Sequence, residues 1–407
     1  MIEPKSLFQK SPNRRNSQQA LLSSQAERKV LADTRISPLL KWPGGKSGEL
    51  NMILPMLPTR MSQYFEPFLG GGAMFWSIAP DIPAYVNDRS SDLVSFYRSI
   101  ACAREGFFSL LEELMHNWQD IESLVETNRG QLSRIYTQYR ADRLSRLSLI
   151  DKVQDFVSAN TEQIQNMFPA ALDHNSSNFS VELKKNLVSK FERMRHIEEK
   201  LGRLPKDDVL NNIEGSMKSA FYMHLRHIYN HSTTYNLQPD HHSAIFFFIR
   251  EYAYAAMFRF NAQGQFNVPY GGIGYNRKNM SIKINGLKDP TVKARLRTAV
   301  LEDRDFMDFL KKYPPRAGDF IFVDPPYDSD FSNYDRNLFS KTDQVRLADY
   351  LIKHCKANFM LVIKSTDYIL SLYKGHGLNI RSFGKKYMWT IKERNNRDTT
   401  HLMITNY

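Results

Sequence analysis

The sequence predicts an α/β protein: one sheet domain built from two separated segments and interrupted by a mostly helical insertion. Three observations carry that expectation. Over residues 36–102, short apolar runs alternate with glycine turns and helix-like stretches, the pattern of β-α units. Over 103–213 the chain turns to long, charge-rich segments with apolar residues at helical spacing. After Leu287 the strand-like runs return, as in DFIFVDPPY and ANFMLVIKST.

In chain order, residues 1–35 are rich in Ser, Gln, Asn and Arg and lack the apolar centre of a signal peptide; they read as a flexible basic tail. KWPGGKSGEL (41–50) looks like a phosphate loop leading into a helix from about Ser47. A P-loop needs G-x-x-x-x-G-K-[ST], and Leu40 stands where the first glycine belongs, so that reading fails on spacing. YFEPF and AYVND read as strands, AMFWSIA and SDLVSFYRSIA as the helices that follow them. FFSLLEELMHNWQDIESLVETN and VELKKNLVSKFERMRHIEEKLGRL are amphipathic helices of the insertion. FRFNAQGQFNVPYGG (258–272) reads as a hairpin with Gly264 at its tip. DFIFVDPPY, ANFMLVIKST and the terminal THLMITNY supply the remaining strands. The expected division is a tail at 1–35, a sheet domain at 36–102 and 288–407, and an insertion at 103–287.

A length of 407 residues suits two domains, at roughly 100–200 residues each. The formal charge of +12 favours polyanionic partners through long-range attraction and counterion release. Cys102 and Cys355 lie far apart without C-x-x-C spacing, so neither a disulfide framework nor a cysteine zinc site is expected, and a reducing cytoplasm fits. No apolar run reaches the ~18–20 residues of a membrane span, because AIFFFIREYAYAAMF is broken by Arg250 and Glu251.

The chemistry concentrates in two motifs. In FVDPPY (322–327) an apolar run delivers Asp324 to the carboxyl end of a strand, where open α/β sheets bind ligands. Pro325 and Pro326 stiffen the backbone and free its carbonyls from sheet pairing. The Asp324 carboxylate and the Pro325 carbonyl beside the Tyr327 ring suit an exocyclic amino group on a flat ring: accepting both its hydrogens pulls nitrogen toward sp³ geometry and exposes the lone pair. The plain alternative is a rigid turn with a capping aspartate. In EPFLGGG (66–72) the glycines allow a sharp turn and close approach to a ligand. Asp88, at the end of the next strand, stands about 15 residues on, where an acidic residue meets ribose hydroxyls; a glycine turn with a helix-capping aspartate would look the same.

KWPGGKS, EPFLGGG, VNDRSSDLV, FNVPYGG and DFIFVDPPY, in that order, resemble the Dam-like family of adenine-specific DNA methyltransferases that use S-adenosylmethionine. The order, cofactor motif first and D-P-P-Y last, is that family's α-group arrangement. The resemblance implies a Rossmann-like methyltransferase sheet domain, with the insertion as a DNA-recognition domain carrying a β-hairpin. It also implies cofactor contacts from Trp42, Lys46, Phe68, Gly70, Gly72, Asp88, Asp305 and Asp324. Asp305 belongs to EDRDF (302–306), which resembles the stretch that meets the cofactor's adenine, with Phe306 beside it; an ordinary helix start reads equally well there. The catalytic loop would be Asp324, Pro325, Pro326 and Tyr327. Arg259, Asn261, Gln265 and Asn267 become candidates for DNA contacts, Asn and Gln suiting adenine edges and Arg phosphate or guanine.

The implied reaction is methyl transfer from S-adenosylmethionine to N6 of a flipped adenine in double-stranded DNA, leaving S-adenosylhomocysteine and needing no metal. N4 of cytosine is the alternative within the same chemistry, and a noncatalytic DNA-binding protein on the same scaffold is the alternative outside it. A partner restriction enzyme stays open. His224, His227, His231, His241 and His242 cluster in sequence but lack acidic or cysteine partners at metal spacing, and read as surface or DNA-facing. RSFGKKYMWTIKERNNR (381–397) reads either as a DNA-backbone contact or as a solvated terminal hairpin.

Overall fold

The computed structural model describes residues 36–169, 171–172, 176–327, 339–386 and 398–407. The basic tail and the 387–397 part of the cation-rich segment lie outside them. A seven-stranded sheet has the order β3-β2-β1-β4-β5-β7-β6. Its strands are β1 (Tyr64–Glu66), β2 (Ala84–Asn87), β3 (Ala299–Glu302), β4 (Phe320–Val323), β5 (Asn358–Lys364), β6 (Asn379–Lys386) and β7 (Asp398–Thr405). The first five pair in parallel and β7 runs antiparallel to both neighbours. This mixed α/β sheet fits a methyl-donor-dependent methyltransferase fold. β1 and β2 come from the first segment and β3 to β7 from the last, so the sheet closes over the intervening helices in sequence.

The β4 run Phe-Ile-Phe-Val is buried along its whole length because both faces of a parallel sheet are covered. Alternation sends Phe320 and Phe322, with Tyr64, into one core cluster and Ile321 and Val323, with Phe65, into the other. The first cluster runs without a break into the helices between β2 and β3. Phe96 of the helix Ser91–Ala101 stacks on Phe247 of the helix Pro239–Tyr252 at 5.1 Å and 14°, a geometry that adds to the area both rings bury. Among the described residues, no helix is long and apolar enough to cross a membrane.

Several local expectations change. AMFWSIA forms only a 3-10 turn, Phe75–Ser77, because Pro80 and Pro83 follow too closely for a helix to continue through them. The helix expected from about Ser47 begins at Leu50 and passes into a 3-10 turn at Pro55. The hairpin is narrow: its described pairing is the bridge Phe260–Phe266, with Ala253–Tyr270 farther out. Asn261 N–H donates to Gln265 O (2.8 Å) and Asn267 N–H to Arg259 O (3.1 Å), while Gly264 takes φ +71° at the tip.

The histidine expectation is corrected at His224. It is fully buried against Phe168, and its Nδ1 lies 3.0 Å from the Asn178 side-chain amide. Burial, helped by His227, pulls its pKa down to about 4. The folded state therefore resists a proton that the unfolded chain takes up below about pH 6.5, so stability is lost as pH falls from there toward 4, by roughly 3 kcal/mol. His224→Gln is expected to shrink the difference between urea midpoints at pH 7.5 and pH 4.5; an unchanged difference would assign the acid sensitivity elsewhere. The His227 and His231 rings lie 4.2 Å apart, tilted by 35°, but no group of three or more potential metal ligands occurs among the described residues.

Candidate active site

Adjacent strands β1 and β4 form the switch point of the parallel order, the place where open α/β sheets bind ligands. Their carboxyl ends, with that of β2, carry the predicted motifs. Asp324 follows the last residue of β4. Pro325 behind it is buried and Pro326 is exposed. The Pro326 carbonyl accepts from Gln344 Nε2 at 2.9 Å, and Gln344 is fully buried on the helix Lys341–Asp349, so an amide outside the motif pins the loop.

The turn at Gly44, with φ +78°, brings Lys46 onto this loop. The Lys46 ammonium ion-pairs with Asp324 Oδ1 and donates to the Gly44 carbonyl at 3.0 Å and the Tyr327 hydroxyl at 3.3 Å. Lys46 is 2% exposed and Asp324 17%. A charge buried this deeply must be compensated, and removing either partner costs about 3–5 kcal/mol. Tyr327 and the buried His401 form a T-shaped pair at 5.4 Å, which helps to hold the tyrosine ring in place.

Asp88 clips the glycine turn after β1. Its Oδ2 accepts from Gly70 N–H at 2.8 Å and its Oδ1 from Ser90 N–H at 2.9 Å. Tyr97 donates its hydroxyl to the Gly70 carbonyl at 3.1 Å. Asn87 ties the same loop to the next one through Pro67 O, Arg304 O and Arg304 N–H. Gly70 sits at φ +50°, and a Cβ there would lie 2.8 Å from Trp42 Cδ1. Gly72, at φ +68°, would meet Trp76 Nε1 at 2.9 Å. Both positions therefore need glycine, and the Trp42 indole lies directly against the turn. Glu66, buried at the end of β1, has its carboxyl pushed well above the usual range by burial, with Asp324 and Asp88 adding to it, and it accepts from Tyr64 OH at 2.7 Å.

Phe68 packs on Phe306 at 5.4 Å, and Phe339 meets both at 5.4 and 5.7 Å. Asp305 caps the helix Phe306–Lys312 by accepting from Met307 N–H at 3.0 Å, and it pairs with Arg346 at 2.8 Å. The helix-start reading of EDRDF thus holds, and the same residues also border Phe68. The four hairpin residues engage one another in pairs: Arg259 Nε donates to Asn267 Oδ1 at 3.0 Å and Asn261 Nδ2 to Gln265 Oε1 at 3.2 Å. Lys46, Asp324 and Tyr327 converge directly, and Trp42, Gly70 and Asp88 form a second contiguous group. Sequence reasoning does not single out Glu66, Asn87 or Gln344. Glu66 and Asn87 stood inside quoted motifs; Gln344 carries no sequence signal, because its partner is 18 residues away.

The model of the D12 class N6 adenine-specific DNA methyltransferases matches residues 42–167 and 176–389. Type II methyltransferase M.CviBI of Paramecium bursaria Chlorella virus NC1A is 25% identical over 381 residues, covering 91% of this chain and 100% of its own length. Type II methyltransferase M1.LlaDCHI of Lactococcus lactis subsp. cremoris is 24% identical, covering 91% and 96%. The retron Ec67 DNA adenine methylase of Escherichia coli is 29% identical over 160 residues, 39% of this chain and 52% of its own. Matched over most of its length and carrying that sheet order and those strand-end motifs, the chain belongs to the D12 class of N6 adenine-specific DNA methyltransferases.

Proposed function

We propose that this protein transfers the methyl group of S-adenosylmethionine to N6 of an adenine extruded from duplex DNA, with Asp324, Pro325, Pro326 and Tyr327 as the catalytic loop. The observation that carries the residue assignment is the convergence of Lys46, Asp324 and Tyr327 at the switch point, beside the Asp88-clipped turn.

The residues fit S-adenosylmethionine. Two glycines that tolerate no Cβ shape a turn against an indole, leaving backbone bare for a nucleoside, and Asp88 supplies carboxylate oxygens for ribose hydroxyls. Trp42, Lys46, Phe68, Gly70, Gly72, Asp88, Asp305 and Asp324 would line its site. When bound, the cofactor supplies a methyl group already activated on sulfonium. The protein's share is orientation and electrostatics. Extruding adenine costs a few kcal/mol, which stacking and pocket hydrogen bonds offset. Tyr327 stacks on the ring, held by His401 behind it and Lys46 at its hydroxyl. Asp324, anchored by Lys46, and the Pro325 carbonyl accept the two N6 hydrogens and aim the lone pair.

The helices and hairpin of 103–287 are assigned to DNA recognition, and 36–102 with 288–407 to catalysis. Arg259, Asn261, Gln265 and Asn267 would exchange their two mutual side-chain hydrogen bonds for DNA contacts. Double-stranded DNA is the substrate; a companion restriction enzyme fits the Type II naming of the relatives and stays unassigned.

Incubation with unmethylated plasmid DNA and cofactor, followed by digestion and mass spectrometry, is expected to yield N6-methyladenine. N4-methylcytosine or no modified nucleoside would overturn the reading. Trp42→Ala is expected to weaken S-adenosylhomocysteine binding by calorimetry roughly tenfold, since the turn loses the wall it packs on, about 1.4 kcal/mol; unchanged affinity would remove Trp42 from the cofactor site.

A further inference from the structure

Arg250 belongs to neither the cofactor set nor the DNA set, yet it touches an element of each. It lies in the last turn of the helix Pro239–Tyr252 and is 2% exposed. Its guanidinium carbon is 5.0 Å from the Trp42 ring centroid and 4.3 Å from that of Phe258, and the two rings are 5.1 Å apart. An Arg250 Nη2 hydrogen bond to the Lys41 carbonyl ties the same group to the backbone just before Trp42. On one side Trp42 abuts the Gly70 turn. On the other, Phe258 begins the hairpin and packs on Phe266 of its returning arm at 5.5 Å. Burying a guanidinium costs several kcal/mol before compensation, and an apolar side chain of similar volume would fill the space more cheaply. What the planar cation adds is two faces and a directed donor, which hold the Lys41–Trp42 backbone and the hairpin root in one arrangement.

We propose that Arg250 is a positioning residue that couples the two ligand sites, so that cofactor binding at the Trp42–Gly70 wall and DNA binding by the hairpin strengthen each other. The proposal rests on the function read above. Coupling must be reciprocal, each ligand changing the other's affinity by the same factor, and ordering of a shared element is sufficient to produce it.

The test is equilibrium dialysis of labelled S-adenosylhomocysteine, with and without saturating unmethylated plasmid DNA, on wild type, Arg250→Met and Arg250→Lys. Wild type is expected to bind at least fivefold tighter with DNA present. Both variants are expected to bring that ratio within twofold of one, while affinity without DNA stays within threefold of wild type. A merely structural role would change each affinity but leave the ratio intact. If the methionine variant does not fold, the lysine variant carries the test, because it keeps the charge but not the plane. A wild-type ratio near one, or a folded variant that keeps the wild-type ratio, overturns the coupling. Failure of wild type to bind the cofactor analogue at all would instead overturn the functional reading.

Discussion

Asp324→Asn is expected to lower single-turnover methyl incorporation at least a thousandfold, about 4 kcal/mol of transition-state stabilisation, while DNA binding stays within a few-fold of wild type. The reason lies in the ion pair with Lys46. Asparagine offers one acceptor oxygen, and the buried Lys46 ammonium claims it. The amide NH2 is then left facing the N6 hydrogens, donor against donor, and the nitrogen lone pair is no longer drawn out. Asp324→Ala removes the acceptor too, but it strands a lysine that is 2% exposed and is expected to cost about 3–5 kcal/mol of stability besides. The asparagine variant keeps an acceptor for Lys46 and is expected to lose less stability than the alanine variant, so it separates chemistry from folding better. Transfer at the wild-type rate in that variant would remove Asp324 from the catalytic role.

The second large effect is at Asp88. Asp88→Ala is expected to weaken S-adenosylhomocysteine binding at least a hundredfold by calorimetry, about 3 kcal/mol. Two charge-assisted hydrogen bonds, from Gly70 N–H and Ser90 N–H, disappear together with the oxygens assigned to the ribose, and each such bond is worth about 1.5–3 kcal/mol. The glycine turn loses its tether to β2, so pocket shape and ligand contact fail together. Asp88→Asn, retaining one acceptor, is expected to fall between the two. An alanine variant that binds within threefold of wild type would leave Asp88 as a turn clip only.

Much of the fold is legible along the chain because its signals are local. The run Phe320 to Val323 is apolar on every residue and is buried on every residue. Ser91–Ala101 is read end to end from its periodicity, and Ser90 caps it as its residue type favours. The errors arise where a distant constraint outweighs local pattern. AMFWSIA has helical spacing, but the two prolines beyond it and the burial on all sides leave one 3-10 turn. His224 has the composition of a surface cluster, yet it is buried against Phe168, 56 positions before it in sequence, an arrangement that only tertiary packing makes.

The sequence by itself determined the class of the protein, through the order of its short motifs, and the strand ends that bear Asp88 and Asp324, because each motif depends on residues within a few positions of one another. Tertiary structure alone decided that Lys46 meets Asp324 across 278 positions, that Trp42 is the wall requiring glycine at 70, that Gln344 pins the loop after β4, and that Arg250 touches both Trp42 and the hairpin root. Such contacts follow from how the two sheet segments pack with the helices between them, which share the core on one face of the sheet, and no local periodicity encodes that packing.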